Sequence, residues 1–141
     1  MLNSLIKSIK ENLKNRFGQD YQIYSEPTEQ DLQKPCFFVQ LTNSSSTQQT
    51  GQRHSRENRI SIQYIPKSQN SPKQEMYDIL DRLYTEMEYI EHDGGLLRGT
   101  QMQGEPAKDK LYFIINYNMI VKRDVETQTM EYLKKSVRTS R

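Results

Sequence analysis

Apolar positions along the chain fall into two helical stripes and several alternating runs, with polar stretches between them. Leu2, Leu5, Ile6, Ile9, Leu13 and Phe17 recur at spacings of three and four, which predicts an amphipathic helix over residues 2–17 ended by Gly18. Tyr21-Gln22-Ile23-Tyr24 alternates and predicts a short strand. Glu26-Pro27-Thr28-Glu29-Gln30 breaks it and starts a single helical turn reaching Leu32, and Pro35 closes that connection. Residues 36–42 predict the next strand, with Phe37, Val39 and Leu41 on one face. Residues 43–52 contain no apolar side chain and predict an exposed or disordered loop. Ile60, Ile62 and Tyr64 alternate over residues 59–65, and Pro66 stops that run, so the two strands pair as a long-armed hairpin.

The second stripe begins where Ser71 precedes Pro72, with Glu75 in the first turn. Met76, Ile79, Leu80, Leu83, Met87 and Ile90 continue it, and Asp93-Gly94-Gly95 ends it. Residues 96–103 predict a weaker strand, with Gly104-Glu105-Pro106 as its turn. Residues 111–121 alternate throughout and are apolar on both faces at first, as in a long central strand. Met130 and Leu133 allow a short helix over residues 125–135. The order of elements predicts an α+β fold, two helices packed on one face of a mostly antiparallel sheet of about four to five strands. Residues 1–122 form that domain and residues 123–141 a basic C-terminal tail or short helix.

Composition makes this a thin-cored domain. The 141 residues are 33% hydrophobic, with nearly a third contributed by Gln, Ser, Thr and Asn. Mean hydropathy is −0.94. Such a surface suits wet protein contacts better than a deep pocket. No apolar run approaches the roughly 18 residues of a membrane span, and the N-terminus lacks the pattern of a secretory signal. The net charge of +2 conceals an asymmetry. Lys134, Lys135, Arg138 and Arg141 carry +4, so residues 1–133 sum to −2, unlike a globally basic nucleic-acid binder.

Candidate chemistry is sparse. Cys36 is the single cysteine, and His54 and His92 are the only histidines. A Cys36–His pair is the one conceivable nucleophilic arrangement, against the reading of Cys36 as a small packed hydrophobe. Glu88, Glu91, His92 and Asp93 suggest either a metal site or a helix C-terminus with His92 complementing the dipole. Gly94-Gly95 and Gly99 follow the predicted helix, where no phosphate cradle forms. These residues predict no enzyme, no cofactor and no metal. Arg53, Arg56 and Arg59 recur at a spacing of three where the polar stretch returns into a strand. They offer phosphate binding, bidentate pairing with carboxylates of a neighbouring subunit, or a solvated flank guarding an edge strand.

One family carries this order of elements and side chains. The first helix is followed by Tyr21-Gln22-Ile23-Tyr24-Ser25-Glu26 and then Gln33-Lys34-Pro35-Cys36-Phe37-Phe38-Val39. Arg56-Glu57-Asn58-Arg59, Tyr64-Ile65-Pro66 and Tyr77-Asp78-Ile79-Leu80 complete the pattern. Over residues 1–122 this resembles the tail terminator, or tail completion, proteins of long-tailed phages, prophages and phage-tail-like bacteriocins of Gram-positive bacteria. The resemblance implies a structural protein forming a ring, typically of six copies, on the head-proximal end of the tail tube. Its partners would be its own copies, the tube protein, head connector or neck proteins, and a sheath protein in a contractile tail. DNA would pass through only as cargo, no membrane would be involved, and assembly would occur in the host cytoplasm before the protein joins the virion tail. A neck or head–tail joining protein is the nearest alternative, and a DNA-binding accessory protein using Arg53, Arg56, Arg59 and the basic tail is a third.

Overall fold

The computed structural model describes residues 2–26 and 32–122. The chain runs through α1 (Leu2–Phe17), β1 (Gln22–Tyr24), β2 (Cys36–Gln48), β3 (Arg53–Ile65), α2 (Pro72–Glu86), β4 (Tyr89–His92), β5 (Gly95–Pro106) and β6 (Leu111–Lys122). The strands form one mixed sheet in the order β1-β2-β3-β6-β5-β4. β1 pairs with β2 in parallel, whereas β4 with β5 and β5 with β6 are antiparallel. The expected α+β arrangement of two helices and one sheet is present, with six strands in place of four to five. The helical turn expected over residues 26–32 lies mostly outside the described residues, and the helix expected over residues 125–135 lies wholly outside them.

Three differences from the sequence expectations have local causes. The second helix stops at Glu86, and residues 89–92 are a strand. Met87 and Ile90 are buried in phase with the helical stripe although neither belongs to the helix. Asp93 (φ 52°) and Gly94 (φ 79°) are both left-handed, so Asp-Gly makes a tight hairpin turn between β4 and β5. Strand β5 extends to Pro106, carries an irregularity between Thr100 and Gln103, and turns at 107–110, where Ala107 N–H bonds the Lys110 carbonyl at 2.8 Å. The polar stretch 43–52 is largely strand, because ladder hydrogen bonds come from the backbone and need no apolar side chain.

The chain forms two compact units. The first spans Met1–Ser45 and Glu57–Asn118 and holds both helices and most of the sheet. Its core is the buried stripe Leu5, Ile9, Leu13 and Phe17 of α1 with Met76, Ile79 and Leu83 of α2, laid on alternate strand residues. Those strand residues include Phe37, Ile60, Ile62, Tyr64, Phe113, Ile115 and Tyr117. Each such burial is worth about 1.5–3 kcal/mol. Phe37 is the hub, with ring centroids 5.1 Å from Phe17 and 5.0 Å from Tyr64. Cys36, Phe38 and Ile65 form a smaller cluster with Tyr24 and Leu32, on the alternate strand positions. Helix α1 contacts both β1 and β4, the two ends of the strand order, so the sheet curls around it. The second unit contains Ser46–Arg56 and, among the described residues, 119–122.

Candidate functional site

Strands β2 and β3 continue into a polar hairpin arm, and every residue from Thr42 to Arg53 is exposed. The turn closes through Gln49 N–H to the Arg53 carbonyl at 2.8 Å, with Gly51 (φ 72°) supplying the left-handed residue. In the first unit the strands are fixed by side-chain amides and hydroxyls. Asn58 is fully buried, donates from Nδ2 to the Tyr117 carbonyl at 3.1 Å, and accepts at Oδ1 from Ser44 Oγ at 2.8 Å. Thr42 Oγ1 donates to the Arg59 carbonyl at 3.2 Å.

All three candidate arginines lie on β3. A spacing of three on a pleated strand alternates faces, so Arg56 shares parity with Asn58 and Ile60, and Arg53 with Arg59. Arg53 and Arg59 are exposed and Arg56 is half-buried. Arg59 belongs to the first unit, where it borders a recess of about 160 Å³ with Asn43, Ser45, Glu57 and Asn116. Asn116 Nδ2 donates to Gln101 Oε1 at 2.8 Å, and its buried Oδ1 has no partner among the described residues. Arg53 and Arg56 belong to the second unit. Lys134, Lys135, Arg138 and Arg141 lie outside the described residues.

The structure scatters the residues weighed for catalysis or metal binding among packing and pairing roles. Cys36 is completely buried, and that burial pushes its thiol up, against the opposing pull of Lys34 and Lys110. A raised pKa removes the thiolate that nucleophilic chemistry requires. His92 sits on β4 rather than at a helix end, with Nδ1 2.8 Å from Ser8 Oγ and Nε2 3.4 Å from Asp93. Glu88 pairs instead with Arg98 at 3.7 Å. Among the described residues no group of three His, Cys, Asp or Glu side chains is placed to hold a metal ion, and no helix is long and apolar enough to cross a membrane. The tyrosines divide between core and surface: Tyr64 and Tyr117 are buried, whereas Tyr77, Tyr84, Tyr89 and Tyr112 are exposed.

Comparison with known proteins decides the class. The model of a family described as phage tail terminator protein matches residues 4–129. The chain belongs to the phage tail terminator family. It is therefore a structural component of a phage tail, from a non-enzymatic family whose members interact with other tail and head proteins. No curated protein matches the chain. A solved structure matches with 8% identity, covering 89% of this chain and 94% of its own, at a TM-score of 0.39. In this tail terminator the sequence reading missed the polar flank of α1. Ser8, Asn12 and Arg16 stand one helical turn apart and all bond the region of β4. Their i, i+4, i+8 spacing was the available signal.

Proposed function

We propose that the chain caps the head-proximal end of the tail tube as a ring, stops tube polymerisation and presents the surface that joins the head. Six copies is the number the family resemblance implies. A growing tube ends in subunit edges that template the next layer, and a cap must cover those edges while showing a different surface outward. The observation carrying this reading is the family match across residues 4–129. The exposed polar residues from Thr42 to Arg53 support it, since uncharged polar side chains and arginine suit wet contacts with a neighbouring subunit. Arg53, Arg56 and Arg59 would pair with carboxylates of that neighbour or of the tube, where planar guanidinium groups bind bidentately. The head connector or neck proteins, and a sheath protein in a contractile tail, meet the outer surface, and DNA passes only as cargo.

Electron microscopy of particles lacking this gene tests the proposal. Headless tails of abnormal, variable length are expected. Tails of normal length that fail to join heads would assign the protein to the neck, and intact particles would discard the capping role. Hydrogen exchange of free and assembled protein tests the arm: residues 43–58 should gain protection on assembly, and equal exchange in both states would remove them from the interface.

A further inference from the structure

Helix α1 treats the two edges of the sheet differently. Its apolar stripe is flanked by Ser8, Asn12 and Arg16 on one side and by Lys7, Lys10 and Lys14 on the other. The first flank seals β4. Asn12 Nδ2 donates to the Glu91 carbonyl at 3.0 Å while its Oδ1 accepts from Glu91 N–H at 3.1 Å, so one side-chain amide stands in for a neighbouring strand. Arg16 donates to the carbonyls of Glu86 and Tyr89 beside it.

On the β1 side Lys10 Nζ donates to Ser25 Oγ at 2.6 Å just past the strand, and among the described residues no comparable side-chain bond reaches the backbone of β1 itself. Gln22 N–H donates to the Pro35 carbonyl at 3.2 Å, so Gln22 and Tyr24 face β2 and the alternation turns the N–H and C=O of Ile23 outward. Between this edge and α1 lies a groove of about 630 Å³ bordered by Lys7, Lys10, Lys14, Tyr21 and Ile23, with Glu11 as the one acid among the described residues that line it. Strand β1 is only three residues long, so among the described residues its pairing with β2 ends at Phe38. There a second recess of about 420 Å³ is bordered by Ile6, Val39 and Leu41, with Glu26 as an acid on its border.

We propose that this groove takes an extended, acidic segment of a partner protein, added as a strand to the outward edge of β1. Alternate residues of a strand lie about 6.6 Å apart. Lys7, Lys10 and Lys14 step about 4.5–6 Å along the helix, a difference their flexible side chains span. Carboxylates at every second position of the segment therefore meet the lysines, its backbone bonds Ile23, and apolar residues at further positions of the same parity lie against the half-buried Ile6 and Leu41. A phosphate or a DNA backbone satisfies the lysines but neither the Ile23 carbonyl nor the apolar positions. This assignment does not depend on tube capping.

Selection of displayed random dodecapeptides on the full chain, followed by amide hydrogen exchange, tests it. The expected peptides carry carboxylates and then apolar residues at positions of one parity, and slow exchange at Ile23. They bind Lys7→Ala/Lys14→Ala at least about tenfold more weakly, at an unchanged melting temperature, because two charge-assisted contacts are gone. Failure to enrich any peptide, enrichment of peptides without acids, or protection elsewhere would overturn the proposal. So would stronger protection of Ile23 by inorganic phosphate or a DNA duplex, which would make the groove a phosphate site. Self-association of the free protein that the double substitution abolishes would assign the groove to a second copy and also overturn it.

Discussion

At the start of α2 the Glu75 carboxylate accepts hydrogen bonds from the Tyr64 hydroxyl and from the N–H groups of Lys67, at 2.7 Å, and Ser68, at 2.8 Å. Burial works to raise its pKa, but the bonds from Tyr64, Lys67 and Ser68 outweigh it and hold the carboxyl below its usual value. The same environment, burial first and then the Glu75 bond, pushes the Tyr64 phenol up. A depressed folded pKa stabilises the fold above the unfolded value of about 4.3, and that contribution disappears as pH falls through the folded value. Glu75→Gln should therefore cost about 1–2 kcal/mol at pH 7, the gap to the parent protein narrowing as the pH falls below the unfolded value and through the lowered folded one, as read by urea denaturation along an acid pH series. Gly99 makes a steric prediction. A Cβ there would lie 2.3 Å from Ile115 Cδ1 and 3.0 Å from Tyr117 Cε1, both in fully buried side chains. Gly99→Ala should lower stability by about 1–3 kcal/mol through overpacking, measurable as a reduced melting temperature. The sequence placed Glu75 in the first turn of a helix; its reach back to Lys67 and Ser68 depends on a loop path that local spacing does not encode.

Among the elements, both helices and the long strand β6 were legible because their apolar periods run uninterrupted through several turns or pleats. Strand β4 was not, since Met87 and Ile90 prolong the helical phase and Asp-Gly serves equally as a helix stop or a hairpin turn. Pairing with β5, a long-range choice, resolved it. Residues 43–52 misled for the opposite reason, because a polar segment joins a ladder through its backbone alone. The seal on β4 carries a prediction of its own. Asn12→Leu keeps the helix but orphans the N–H and C=O of Glu91. It should cost about 1–3 kcal/mol and bring concentration-dependent association through the opened edge, measured by denaturation and by light scattering. A monomeric variant of full stability would refute the sealing role.

At the scale of the molecule, folding and assembly draw on different residues. Every residue from Thr42 to Arg53 is exposed, so the hairpin tip adds little to the core of the first unit. Replacing Ser46–Arg56 by an Asn-Gly turn joining Ser45 to Glu57 should leave the melting temperature near that of the parent protein while abolishing tail completion in a phage complementation assay. Retained completion would remove Arg53 and Arg56 from the proposed contacts. The sequence by itself determined the helix stripes, most strand positions, the apolar core and the resemblance to tail terminators, because local period and the order of elements survive without a fold. Only the tertiary structure decided the sixth strand, the curl that brings β1 and β4 both to α1, and the unequal treatment of those two edges. These depend on which backbone groups meet across long stretches of chain, and hydrogen bonding between distant segments leaves almost no period in the sequence.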